Sequence, residues 1–288
     1  MIPNSSGIEL PRAHAPANAC DAHLHILDPR LPTQEAIAPP GMTFDDYRLL
    51  QRRIGTTRVV VVQPKHHRTD NACTLDAVRR FGANGRGIAV VAADITDAEL
   101  KQLDASGIRG LRFSVWNRGD TIVTIDMIEP LSRRIAALGW HTQIHMSADQ
   151  IVEAASVLDR LPCPIVYDHM GRLPTQQGTS HPAFSVISRQ LQAGKAWVKL
   201  SGAYLNTEIG PPDYPDATRI AQSFVKVAPE RLVWGSDWPH TTEPHKPDDA
   251  LLFDLLTIWA GDLTKRDRIL VDNPAELYGF ESFRQTTT

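Results

Sequence analysis

The chain is poor in cysteine. Cys20, Cys73 and Cys163 are three in number, in 288 residues, with no CxxC spacing. That argues against a disulfide framework and against a thiolate zinc site, and leaves buried free thiols as the expectation. No apolar run approaches the roughly 18 residues of a membrane span. Polybasic tracts are also missing: the formal net charge is -3, with both signs mixed along the chain, which sets aside nucleic acid and membrane surfaces as partners. The opening residues, MIPNSSGIELPRAHAPANAC, hold neither a basic start before an apolar stretch nor a small-residue cleavage site. No secretory signal is read there, and a cytoplasmic protein is expected. No internal repeat, low-complexity tract, interdomain linker or interface-marking stripe is visible, so the oligomeric state is left open.

What is present is alternation of two kinds of segment. Residues 1–17, rich in Pro, Ser, Asn and Ala, read as a leading arm, and residues 18–288 as one domain. Short runs heavy in β-branched residues recur: one ending in Asp21 to His25, then Arg58 to Pro64, Gly87 to Asp94, Ile108 to Ser114, Trp140 to Met146, Cys163 to His169, Ala196 to Ser201 and Leu232 to Asp237. Amphipathic stretches lie between them, among them Asp97 to Ala105, Ile128 to Leu138, Ala148 to Leu158, Phe184 to Ala193 and Ala217 to Val227. Eight strands with intervening helices, in a chain somewhat above the roughly 250 residues of a closed barrel, predict an α/β fold of the (β/α)8 TIM-barrel type. The rival, a doubly wound open sheet, calls for a Gly-rich phosphate turn after its first strand, and no GxGxxG follows here. Asn206 to Pro215, with four Pro or Gly, reads as a loop over the barrel mouth.

The first strand ends in Asp-Ala-His23-Leu-His25. Residues two apart on a strand share a face, so both imidazoles are expected inside the barrel, as ligands for a metal or a polar substrate. Taken alone, HxH is better read as two satisfied structural histidines. His145 closes the fifth strand, however, His169 the sixth, and Asp237 the eighth, within Gly-Ser-Asp237-Trp-Pro-His240. Barrel enzymes take their catalytic groups from these strand ends. The bland reading of Asp237 is a carboxylate capping the helix that follows.

HxH, the two later histidines and the final Asp, together with DHMGR (Asp168 to Arg172) and WGSDWPH (Trp234 to His240), resemble the amidohydrolase superfamily, and within it the amidohydrolase-related lactonases. TDNACTLDAV (Thr69 to Val78), RGIAVV (Arg86 to Val91) and RFSVWNR (Arg112 to Arg118) extend the similarity, which runs from Asp21 to Pro274. The resemblance implies hydrolysis of a small carboxylated lactone, with Asp237 as general base on the attacking water. His23, His25 and His169 would polarise the ring carbonyl, directly or through a metal. Arg112 and Arg118 are implied as carboxylate partners.

Two departures bear on that reading. Pyrone dicarboxylate lactonases work without a divalent metal and carry Tyr where this chain has His145, whereas decarboxylases of the superfamily place a His ligand there. The resemblance therefore allows a mononuclear zinc or manganese site of His23, His25, His145 and Asp237, or a metal-independent enzyme. The same lactonases also grip a carboxylate with an Arg after strand seven, where this chain offers Tyr204 and Leu205, and neither replaces an Arg fork. Lys65, His66 and His67 after strand two, Arg172 and His240 are further candidates to touch substrate, with Trp116, Trp238 and Tyr204 as possible walls. A solvated loop, surface ion pairing or plain packing are their ordinary alternatives. A metal-dependent decarboxylase, a lactone isomerase and a barrel that binds without turnover are the competing functions.

Overall fold

A computed structural model of the chain describes residues 2–31, 40–117, 119 and 122–281. Eight parallel strands pair in chain order: β1 (Cys20–Leu24), β2 (Arg58–Val62), β3 (Gly85–Ala89), β4 (Ile108–Ser114), β5 (His141–His145), β6 (Ile165–Tyr167), β7 (Ala196–Leu200) and β8 (Leu232–Trp234). The segment after β8 returns to β1. The Asp237 amide donates to the His23 carbonyl and the His25 amide to the Trp238 carbonyl, both at 2.8 Å, and Leu24 bridges Trp238. That contact closes the sheet into the expected (β/α)8 barrel.

Helices α1 (Phe44–Ile54), α2 (Ala72–Phe81), α3 (Asp97–Ala105), α4 (Ile125–Ala136), α5 (Ala148–Glu153), α6 (Ala155–Leu158), α7 (Pro182–Gln192), α8 (Pro215–Val227) and α9 (Asp249–Ala260) fill the crossovers, and α10 (Leu263–Asp267) and α11 (Asn273–Tyr278) end the domain. Their starts are written in the sequence. Thr43, Thr96 and Ser147 form capping boxes with Asp46, Glu99 and Gln150, and Pro182 and Pro215 occupy first helical positions. No helix among the described residues is long and apolar enough to cross a membrane. The three cysteines are buried and free.

Strand alternation sorts the core. Val59 and Val61 pack outward with the helices, while Val60 and Val62 join Cys20, Ala22, Ile88, Val166, Trp197 and Val233 in a second cluster inside the barrel. Tyr278 and Phe280 plug that cluster at the N-terminal end of the strands, where Tyr278 meets His141 edge-on and Phe280 lies under Arg58 and Arg86. The C-terminal end of the interior is left to polar side chains.

Several boundaries differ from expectation, each with a physical cause. β3 stops at Ala89 rather than Asp94, because both backbone polar groups of Val90 are taken by the Asn71 side chain. The expected single helix Ala148 to Leu158 is two, broken at Ala154 (φ -86°, ψ 0°). β8 ends before Asp237, whose φ is +64°. On β1 the simple alternation argument needs amending, because the register slips between Asp21 and Leu24. That bulge lets Ala22 and His23 both turn inward while Asp21 turns out, toward Tyr47 and Ser236.

The seam is tight at Gly235. A Cβ there would stand 2.6 Å from His23 Cβ and 2.7 Å from its backbone nitrogen, contacts no rotamer change relieves. Gly235→Ala is therefore expected to destabilise the fold by about 1–3 kcal/mol, the usual range for overpacking. A thermal melt unchanged from wild type would contradict this account of the seam.

Candidate active site

Above the apolar plug, the interior becomes a buried charge network. Asp168, one residue beyond β6, faces Arg112 Nε and Gln143 Nε2 with Oδ2, both at 3.2 Å. Its Oδ1 lies 3.3 Å from His23 Nδ1 and 3.7 Å from Lys199 Nζ. Lys199, fully buried on β7, donates to the Ala22 carbonyl at 2.9 Å and to Gln143 Oε1 at 2.8 Å. Burial lowers its ammonium to about 8. Burial would raise Asp168, yet His23, Lys199 and Arg112 hold it well below the ordinary carboxylate value.

On this floor stand the groups the sequence singled out. His25 Nδ1 contacts the Val62 carbonyl at 2.8 Å, which requires the proton on that nitrogen and leaves Nε2 as a lone pair pointing inward. His23 Nε2 is 3.3 Å from that atom. Asp237 Oδ1 is 3.5 Å from His23 Nε2, 3.6 Å from His25 Nε2 and 3.8 Å from His169 Nε2. His169 is held at its other nitrogen by Ser201 Oγ at 2.9 Å. Burial pushes His169 down to about 3, and drives His23 well below the usual imidazole value with help from Lys199. Burial works to raise Asp237 as well, but the three imidazoles outweigh it and the carboxylate stays ionised. Asp237 does not cap the next helix; Asp248 does, accepting from the Ala250 amide.

Two groups of side chains have ligand atoms close enough to share an ion: His23, His25 and Asp237, and His23, Asp168 and His169. The first fits a metal better, because Asp168 is already neutralised by Arg112 and Lys199. Asp168 Oδ1 is a buried oxygen without a hydrogen-bond partner among the described residues. A proton on His23 Nδ1 would satisfy it, and His23 Nε2 would then face His25 Nε2 and Asp237 Oδ1 with no hydrogen between the three donors. Their spacing is that of ligands around a tetrahedral ion with bonds of about 2.0–2.1 Å, roughly 3.3–3.5 Å apart. The alternative is also built in: Lys199 Nζ, 3.3 Å from His23 Nδ1, can donate to it and leave the proton on Nε2, between the imidazoles.

His145 is not in that group. Its Nδ1 meets Ser114 Oγ at 2.9 Å, its ring stacks on Trp116, and it meets His169 edge-on at 5.6 Å. The guanidinium of Arg172 covers the other part of this wall, 4.1 Å from the Trp116 ring centre. Arg112 lies inside the barrel as alternation predicts, paired with Asp168. Arg118 lies outside the described residues. Lys65 and His67 form a 3-10 turn after β2, with Lys65 exposed and His67 buried; neither belongs to the ligand groups. The 206–215 loop crosses to the loop after β6, where Thr175 Oγ1 donates to the Asn206 carbonyl and Asn206 to the Leu173 carbonyl. Trp238 packs away from the mouth against Tyr47, and its indole donates to the Pro3 carbonyl of the leading arm. Tyr204 and His240 stand behind Asp237: the phenol donates to Asp237 Oδ2 at 2.7 Å, and His240 Nδ1 lies 2.8 Å from the phenol oxygen.

Asp168, Lys199, Gln143 and Asp249 went unread in the sequence. A signal existed for two of them: Lys199 shares the inward face of β7 with Trp197, and a lysine in a fully buried strand demands a partner. Asp168 adjoins His169 inside the quoted DHMGR run.

Against known proteins, the amidohydrolase family model matches residues 20–280. The 4-sulfomuconolactone hydrolase of Rhizobium radiobacter is 34% identical over 92% of this chain and 91% of its own length. The 2-pyrone-4,6-dicarboxylate hydrolase of Comamonas testosteroni is 33% identical over 93% and 92%, and the D-galactarolactone isomerase of Agrobacterium fabrum 28% over 96% of both chains. Among solved structures, a probable 2-pyrone-4,6-dicarboxylic acid hydrolase from Acinetobacter baumannii, with citric acid bound, superposes with a TM-score of 0.78 at 27% identity, over 91% of this chain and 100% of that one. With the seam, the polar floor and the imidazole cluster all inside the matched span, the chain belongs to the amidohydrolase family.

Proposed function

We propose that this protein is a lactonase that opens a small carboxylated lactone, with Asp237 as the general base. The observation that carries this reading is the division of labour on Asp237: Oδ2 is tied to Tyr204, and Oδ1 is turned to three imidazoles from β1 and the β6 end. An ionised carboxylate there takes a proton from water as the water oxygen attacks the ring carbonyl carbon. The ester C–O bond then breaks, and the ring oxygen leaves with a proton returned from the site, Asp237 being the nearest holder of one. His169 is placed to hydrogen-bond the carbonyl oxygen as negative charge grows on it. His23, His25 and Asp237 would hold a divalent cation, zinc or manganese, and His145 stands apart from them. Such an ion, when bound, acts as a Lewis acid on a carbonyl oxygen.

Recognition of the acid falls to the wall beside the imidazoles. Arg172 Nε and His145 Nε2 are buried without hydrogen-bond partners among the described residues, and a cleft of about 350 Å³ opens at Arg172, lined also by Trp116, Thr175, Asn206 and, at its rim, the acids Asp149 and Glu208. A planar guanidinium braced on an indole suits a carboxylate or sulfonate. This supports an anionic lactone, the class named for the two hydrolase relatives. The isomerase relative, similar over nearly its whole length, supports a second reading in which the ring oxygen is re-formed at another position.

Incubation with 4-sulfomuconolactone, 2-pyrone-4,6-dicarboxylate and D-galactarolactone, followed by product analysis, tests the proposal. Ring-opened acid is expected; a moved ring would transfer the assignment to isomerase, and no reaction with any member would remove the proposal. Asp237→Asn should lower kcat at least about 100-fold with folding intact, and full activity would eliminate the general-base role. Elemental analysis before and after chelation is expected to show one divalent ion per chain whose loss abolishes turnover. Arg172→Met should raise KM roughly 10–100-fold, the loss of a charged hydrogen bond worth about 1.5–3 kcal/mol, with kcat little changed; a kcat effect alone would contradict binding by this residue.

A further inference from the structure

Behind Asp237, on the side away from the imidazoles, three side chains form a row. Tyr204, in the 3-10 turn Ala203–Leu205 after β7, gives its hydroxyl proton to Asp237 Oδ2. His240, three residues past Asp237, lies with Nδ1 2.8 Å from the phenol oxygen and Nε2 3.2 Å from each oxygen of Asp249. His240 and Asp249 are buried, and Asp249 opens α9, so the row ends on a helix rather than a loop.

A phenol has one proton, and it goes to Asp237. His240 Nδ1 faces the phenol oxygen and Nε2 faces the Asp249 carboxylate, so a proton on either ring nitrogen has an acceptor within the row. The hydroxyl proton of Tyr204 is spent on the protein's own carboxylate. A carboxylate is otherwise loosely held, because its terminal torsion is broad. Asp237 has a further reason to need fixing: it is carried at φ +64°, beyond the end of β8.

We infer that His240 and Asp249 are positioning residues that act on the reaction through Tyr204, which pins Asp237 Oδ2 and so keeps Oδ1 turned to His23, His25 and His169. The inference rests on Asp237 being the reactive carboxylate of the proposed lactonase. Residues that act through one another are not additive, and this separates the row from three independent structural contacts.

The test is a mutant cycle of Tyr204→Phe, Asp249→Asn and the double variant, on whichever of the three lactones wild type converts, with melting temperatures taken alongside. Tyr204→Phe is expected to lower kcat about 10–100-fold with KM within about twofold, the range seen when an outer partner of a site residue is removed. Asp249→Asn should lower kcat by no more than that, and the double variant should be no slower than Tyr204→Phe alone. Losses that multiply, a change confined to KM, or full activity in either Tyr204→Phe or Asp249→Asn would overturn the inference. If Asp249→Asn does not fold, His240→Gln takes its place in the cycle. If wild type converts none of the lactones, the lactonase reading fails by itself, and crystal structures of wild type and Tyr204→Phe decide the inference separately. Rotation of the Asp237 carboxylate away from His23 and His25 in the variant supports it, and an unmoved carboxylate sinks it.

Discussion

The meeting of β1 with the segment after β8 is the constraint on which the rest of the molecule depends. His23 and His25 lie on one side of that seam and Asp237 on the other, so the cluster exists only in the closed barrel. Closure of so long a loop is costly in chain entropy, and the seam is held by more than backbone pairing. Asp21 accepts from the Tyr47 hydroxyl, the Ser236 hydroxyl, the Ser236 amide and the His23 amide. Burial still drives its carboxyl up to about 6, against the pull of those bonds. Asp21 turns outward by plain alternation between Cys20 and Ala22, and the bulge that follows turns His23 inward, so seam and site adjoin at one irregularity in β1.

The second layer of dependence is electrostatic. A lysine and an arginine inside a barrel are expensive unless paired, and Asp168 lies between them. Gln143 completes the arrangement by accepting from Lys199 and donating to Asp168. The network has one nitrogen left to govern, His23 Nδ1, which stands at 3.3 Å from both an acceptor and a donor. Choice of the acceptor prepares the opposite nitrogen for a cation, and choice of the donor fills the gap with a proton. The floor thus sets how the imidazole cluster is occupied, although none of its members besides His23 touches Asp237.

The parts legible in the sequence were those controlled by local pattern. Eight β-branched runs with amphipathic spacers specified the barrel, and residues at the ends of three of them specified His23, His25, His169 and Asp237 as neighbours. What could not be read depends on contacts between distant segments. Val90 looks like strand until Asn71 takes both its backbone groups. His145 sits at a strand end like the others, yet its ring turns to Ser114 and Trp116, a choice made by side-chain packing. Tyr204 and His240 read as pocket residues, and only the fold shows that they face each other and Asp237. Asp249 had no signal, because an acid in the first turn of a helix is ordinary.

Backbone conformation ties these observations together. His169, Met170 and Arg172 after β6, and Asp237 and His240 after β8, all have positive φ without being glycine. Such residues are uncommon, and a cluster of them requires surroundings that over-determine the conformation. Here the surroundings are visible: Ser201 fixes the His169 ring, the Trp116 indole carries the Arg172 guanidinium, and Tyr204 with Asp249 fixes Asp237 and His240. A chain leaving a parallel strand with ordinary dihedrals would run on toward the next helix and carry its side chains outward. The left-handed turns fold His169 and Asp237 back over the barrel axis instead. The strain and the contacts that oppose it are therefore two sides of one requirement, that His23, His25 and His169 from separate strands converge on Asp237 Oδ1.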